Sequence, residues 1–499
     1  MSKIVNKLSS LPNAVLYALS AAIEKSFSFV TIPLMAAFLK PSEYGNYDIA
    51  VVAADLVVLI VGLGMAEQLI RFVSTSNSDA GKRQIAGEIL GCAVVATSVF
   101  LAAVLLISER YADLVNLQLE LVAFRIVLAG ACLSALIELP LAWLRLQDDA
   151  YAFLKFVLVR TLCQVASIVV VLTSGYGAEG LLVANGVIMG ASTLWLFGSQ
   201  LRKTPVKFSY SRFQQLARYG FPILGAMLCM FFLGNASRLF LGNTVSAEMV
   251  GNFGLATRFA MIVAFVIYPL ELWWLPKRIP ALRHAAGLEL SAQVFGVGVS
   301  LLLLAGLGVC LLVPVFILEL FPPGYSDAVK FLPWIALILG LGAVAGMLGV
   351  GSYARENGYR ILAIDFSAAF IAVLGFVLLI PQWGVYGAMV AMGGAQLVRI
   401  SGYLIDGVEL APIHYPWRSS LLCLALVGLI ISLVPADASV LLRVGWALGG
   451  SLTLIAVLFA TDLVPWPLTG LGDAVAQASE QAAAIDAARL DNPEAIKPG

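Results

Sequence analysis

Ten ionisable side chains fall inside long apolar runs of this 499-residue chain: Glu24, Lys25, Asp55, Arg125, Glu138, Arg160, Arg238, Arg258, Asp365 and Arg399. A charge near the centre of a bilayer costs roughly 2.5–3.5 kcal/mol on insertion scales, so such a residue faces a bundle interior and is a candidate for function. Arg125, Glu138, Arg160 and Arg399 lie close enough to the ends of their runs for snorkelling or interhelical pairing to account for them. Asp365 sits one turn into its run, where it serves as a helix cap. Among the remaining five, Lys25, Arg238 and Arg258 are expected to make a cavity cationic, with Glu24 and Asp55 as counter-charges and candidates for ion coupling. The alternative for all five is a set of ion pairs that only hold helices together. Glu24 and Lys25 point about 100° apart on a helix, so they do not pair with each other and one needs a partner elsewhere. The guanidinium fork matches phosphate oxygens two at a time, which suits a diphosphate.

Other chemistries are poorly supplied. The two histidines, His284 and His414, lie far apart in polar connecting segments, and the six cysteines all lie in apolar runs, where a thiol is a small buried hydrophobe. No metal site, cofactor site or catalytic triad follows. A Gly-rich loop ending in Lys-Ser/Thr is also missing, which argues against ATP hydrolysis by this chain. With 30 Lys+Arg against 30 Asp+Glu, dispersed, there is no basic face for nucleic acid.

The elements that must position the charges are membrane spans. Hydrophobic residues make up 61% of the chain and charged residues 12%, about half the charged share of a soluble domain, and mean hydropathy is +0.94. Fourteen runs are long enough to cross a bilayer: approximately 15–39, 46–70, 85–107, 121–143, 153–173, 179–199, 217–241, 250–271, 292–317, 328–350, 360–380, 386–405, 419–434 and 442–461. Their length and continuity predict an all-α polytopic bundle and exclude a β-barrel, whose strands alternate. With the N-terminus inside, 18 Lys/Arg fall in inside segments and 4 (Lys40, Arg110, Lys330, Arg443) in outside loops, a bias that places both termini in the cytoplasm. The outside loops are too short for a catalytic module. Glu24 and Lys25 interrupt the first run, so it does not read as a cleaved signal peptide.

The chain also repeats itself. Gly45-Asn46-Tyr47-Asp48-Ile49-Ala50 matches Gly251-Asn252-Phe253-Gly254-Leu255-Ala256 at an offset of 206. Gly177-x-x-Gly180-x-x-x-Ala184 matches Gly384-x-x-Gly387-x-x-x-Ala391 at 207, and Arg145 and Tyr151 match Arg355 and Tyr359 at 210 and 208. Spans 1–6 and 7–12 therefore read as two homologous six-helix lobes (residues 1–200 and 201–410), followed by two additional helices (411–462) and a tail (463–499). Six is even, so the lobes share one orientation, and parallel repeats of this kind place substrate where the halves meet and rock one against the other.

The segment Lys40-Pro41-Ser42-Glu43-Tyr44-Gly45 after span 1, with the Tyr176-Gly177-x-x-Gly180 and Trp383-Gly384-x-x-Gly387 starts of spans 6 and 12, resembles the polysaccharide flippases of the multidrug/oligosaccharidyl-lipid/polysaccharide exporter superfamily. The resemblance spans the whole chain in helix count and duplication. It implies a V-shaped pair of lobes that flips an undecaprenyl-diphosphate-linked oligosaccharide from the inner to the outer leaflet of a bacterial inner membrane. Spans 13 and 14 would bear a groove for the lipid tail, proton or sodium gradients would drive the cycle, and a polymerase and glycosyltransferases would act in the same pathway. Two rivals stand beside it: a multidrug antiporter of the same superfamily, whose cationic cargo prefers carboxylates, and a polysaccharide polymerase, which would carry a large outer loop with catalytic Arg or His.

Overall fold

The computed structural model describes residues 12–464 apart from positions 77, 118, 203, 276, 283–284, 354–358, 411 and 436–437. Among these residues the regular structure is helical throughout: α1 (Asn13–Phe38), α2 (Pro41–Gly62), α3 (Met65–Ser74), α4 (Asp79–Leu114), α5 (Leu121–Ser134), α6 (Glu138–Leu146), α7 (Ala150–Thr173), α8 (Gly177–Leu201), α9 (Tyr210–Gly234), α10 (Ser237–Leu241), α11 (Ala247–Trp274), α12 (Arg278–Ala281), α13 (Ala285–Leu320), α14 (Ser326–Leu348), α15 (Val350–Tyr353), α16 (Tyr359–Trp383), α17 (Val385–Leu410), α18 (Trp417–Leu433) and α19 (Val440–Ala460). Twelve stretches are long and apolar enough to cross a membrane, and two shorter apolar helices, Val15–Glu24 and Trp417–Leu433, stand where spans 1 and 13 were expected. The protein is a multi-pass membrane protein with about fourteen apolar helical stretches among the described residues.

The three sequence motifs are helix starts. Pro41 occupies the first turn of α2, where its missing N–H costs nothing, and the Glu43 carboxylate accepts a hydrogen bond from the Lys40 backbone N–H at 3.0 Å. Gly177 and Gly384 hold φ of +59° and +55° where α8 and α17 begin, a left-handed turn that strains any residue with a Cβ. The equivalent glycines of the two halves thus make the same turn.

Two of the broken spans are neighbours. Leu63 (φ 47°) and Gly64 (φ 62°) interrupt the second between α2 and α3, and the buried Gln68 amide donates to the Leu63 carbonyl at 2.9 Å, satisfying an oxygen the helix no longer uses. Residues 135–137 interrupt the fourth between α5 and α6, and α3 packs against α6, so the two breaks are neighbours.

Contacts group the chain into two compact units: Met1–Gly254 with Leu320–Tyr325 and Phe376–Ala388, and Leu255–Glu319 with Ser326–Gly375 and Met389–Gly499. In the first, one core joins Leu69, Ile89, Leu90, Leu139 and Leu216, and another joins Ala53, Val57, Phe124 and Leu128. In the second, Phe295, Leu307, Leu311, Tyr403, Val427 and Leu454 belong to one core, into which α18 and α19 both pack.

Candidate functional site: buried charges and an apolar groove

Several intramembrane charges of the first unit are ion-paired. Arg238, in α10 just past the end of α9, meets Asp48 of α2 at 2.7 Å, with the two side chains 6% and 2% exposed. Asn235 accepts a second bond from the Arg238 guanidinium at 3.3 Å, and the Phe253 ring lies 6.0 Å from it. Arg160 of α7 reaches Glu24 of α1 at 2.6 Å, so Glu24 finds its partner outside its own helix. Arg145 approaches Glu138 at 3.6 Å along the short α6, and Arg125 donates to the Ser108 hydroxyl at 3.0 Å. Elsewhere in the unit, Arg212 of α9 pairs with Glu88 of α4 at 2.9 Å, and Arg71 bonds to the Tyr219 hydroxyl.

The second unit is held by a buried triad. Asp365 of α16 accepts from Arg399 Nε at 2.7 Å and from the Tyr403 hydroxyl at 3.0 Å, both on α17. All three side chains are buried, so the pair is fully committed to this contact. Arg360 and Asp406 repeat the link between the same helices at 2.8 Å. Asp365 is therefore the anchor of an interhelical pair and does more than cap α16.

Of the five residues expected at a substrate or coupling site, Arg238 and Glu24 are ion-paired as above. Arg258 is half-buried in α11, within the second unit, and Asp55 is exposed in the middle of α2. Lys25 belongs to α1, with its side chain outside the described residues, as are Arg355, His284 and the tail from position 465. Asp48 escaped the sequence reading as a charge because it lies in the repeated Gly-Asn-aromatic segment, where it reads as motif. Its signal was there: the second copy carries Gly254 at that place, so the acid is an asymmetry in an otherwise shared pattern. Tyr403 left no such trace.

The second unit also contains an apolar groove of about 720 Å³, lined by residues of α11, α13, α14, α17 and α18. Trp334, Leu337, Leu397, Leu421, Leu424 and Gly428 form part of its wall, and Ser420 and Ser432 supply its few hydroxyls. Gly428 has open space where a side chain would stand. A groove of this volume, walled by apolar side chains, suits a hydrocarbon chain better than a charged solute.

Residues 10–276, more than half the chain, match the family described as polysaccharide biosynthesis protein. The chain belongs to this family. Comparison with curated protein sequences finds no match. Among solved structures, this polysaccharide biosynthesis protein is similar to the lipid II flippase MurJ in an inward closed conformation, at 12% identity and a TM-score of 0.72, covering 89% of this chain and 99% of that one. It is also similar to a multidrug resistance MATE family transporter in an inward-facing conformation (15% identity, TM-score 0.59, covering 77% and 94%) and to the MATE multidrug transporter DinF-BH (14%, 0.53, 79% and 95%). These likenesses show a fold shared with that flippase and those MATE transporters.

Proposed function

We propose that this protein is an alternating-access flippase that carries an undecaprenyl-diphosphate-linked oligosaccharide from the inner to the outer leaflet of a bacterial inner membrane, with both termini in the cytoplasm. The observation that carries the reading is membership of a polysaccharide biosynthesis family in a chain with an exporter fold. The apolar groove against α18 supports it, since a polyprenyl tail needs a hydrocarbon-lined path while its diphosphate crosses. Lys25, Arg238 and Arg258 are proposed as the cations that meet the diphosphate, and Arg238 would have to do so while paired with Asp48. Glu24 and Asp55 are proposed as the coupling carboxylates, and ion binding at Glu24 would first have to displace Arg160. The polymerase and glycosyltransferases of the pathway would be its functional partners.

The test is a deletion strain complemented with wild type or with Arg258→Ala, scored for surface polymer and for the leaflet in which lipid-linked precursor accumulates. Precursor trapped on the cytoplasmic face in the deletion strain and the variant is expected. Precursor found on the outer face and unpolymerised would identify an enzyme of polymerisation instead. A MATE-type exporter of cationic compounds, the reading the fold also admits, would leave polymer unchanged and alter drug resistance.

A further inference from the structure

The two copies of the repeated Gly-Asn-aromatic segment touch each other. A Cβ on Gly45 of α2 would collide with the Ala247 carbonyl oxygen, and one on Gly251 of α11 with the Pro41 carbonyl oxygen. Each glycine meets the carbonyl four residues before the other, so the contact is reciprocal and keeps the 206-residue offset of the repeat. Backbones approach this closely only where both side chains are absent.

Further bonds surround the crossing. Asp48, three residues after Gly45, takes the space that Gly254 leaves empty and pairs with Arg238. The Tyr325 hydroxyl donates to the Leu39 carbonyl at 3.1 Å, Asn116 to the Gly242 carbonyl at 3.0 Å, and Asn243 to the Leu114 carbonyl at 2.7 Å. Each bond joins the first repeat to the second, and all lie in or beside the loops that the Lys/Arg bias assigns to the outside. All of these residues belong to the first compact unit.

We propose that this crossing is the outer gate of the transporter, with Asp48–Arg238 as its latch. The chemistry fits a contact that must part repeatedly. A glycine crossing has no interdigitated side chains to repack when it separates. A buried ion pair regains hydration as it loses attraction, so its opening is closer to balanced than the wetting of an apolar patch of equal size. The asymmetry of the latch, an acid in one copy opposite a glycine in the other, admits one register only. The proposal rests on the transporter reading but not on the identity of the cargo.

Ile49 supplies the reporter, because it is 2% exposed and its side chain packs against Gly242. In a background with the six native cysteines replaced, Ile49→Cys is labelled in right-side-out vesicles with a membrane-impermeant maleimide. Slow labelling is expected with the latch intact, several-fold faster labelling in Asp48→Asn and Gly251→Ala, and an intermediate rate in Arg238→Lys. Equal rates at equal amounts of folded protein, or labelling from the cytoplasmic face alone, would overturn the gate. Where latch variants do not fold, a short bis-maleimide bridge between Leu114→Cys and Asn243→Cys leaves the latch untouched. Bridging is expected to stop polymer export, and a bridged chain that still exports refutes the proposal. A chain that exports nothing unbridged yet shows the labelling pattern would refute the cargo and leave the gate standing.

Discussion

Asp365, Arg399 and Tyr403 show how much a single side chain weighs in this bundle. Arg399→Met leaves Asp365 buried without its counter-ion and is expected to cost about 3–5 kcal/mol, whereas Asp365→Leu combined with Arg399→Met removes both charges and is expected to be near neutral. Tyr403→Phe removes one bond to the carboxylate and should cost about 1 kcal/mol. A double-mutant cycle of unfolding in detergent measures all of these, and additive single and double costs would show that the pair is not coupled. Tyr415, in the segment between α17 and α18, offers a pH test. Its ring lies 4.7 Å from Phe295 and 5.9 Å from Trp417, and burial there pushes its hydroxyl up from 10.0 to about 12. Below pH 10 the hydroxyl is neutral in folded and unfolded chains alike, so its contribution is constant. Between pH 10 and about 12 the unfolded chain ionises first, and stability falls. Tyr415→Phe should lose that part of the alkaline slope, which thermal melts of the two proteins between pH 9 and 12 compare directly.

At the level of elements, the break between α2 and α3 is the most sensitive point. Gly64 holds φ +62° and a Cβ there would press on Ile223 at 2.6 Å, so Gly64→Ala adds backbone strain of about 1–2 kcal/mol to a steric clash. The variant is expected to melt several degrees below wild type, and an unchanged melting temperature would mean that the break relaxes freely. Gln68→Leu should destabilise the same break by stranding the Leu63 carbonyl. This break was not legible in the sequence, where Val61-Gly62-Leu63-Gly64 continues an apolar run. The break in span 4 was hidden for the same reason, since hydropathy reports burial in lipid and is blind to φ. The starts of α2, α8 and α17 were legible because Pro41, Glu43, Gly177 and Gly384 perform local backbone tasks that only those residue types perform. The candidate site divides likewise. Which charges lie inside the membrane is a property of the sequence, but Arg238 with Asp48 and Arg399 with Asp365 are tertiary choices between distant helices.

For the molecule as a whole, the direction of transport tests what the charges are for. An undecaprenyl diphosphate head carries negative charge, and an inside-negative potential favours its outward movement by about 2.3 kcal/mol per charge per 100 mV. A cationic drug is held back by the same field. In proteoliposomes loaded with lipid-linked oligosaccharide on the face equivalent to the cytoplasm, imposing an inside-negative potassium diffusion potential should speed appearance on the other leaflet, and reversing its sign should slow it. Blocking the groove separates the head from the tail in this assay: Gly428→Trp fills open space in the wall, so it should reduce flipping of a long polyprenyl carrier far more than that of a short-chain analogue with the same diphosphate head. Equal losses for both chain lengths would mean that the groove is structural and the tail stays in the bilayer. Insensitivity to the sign of the potential would mean that each cycle carries compensating cations, and Asp55, the exposed mid-span carboxylate, is where their passage should be sought, with Asp55→Asn expected to restore dependence on the field.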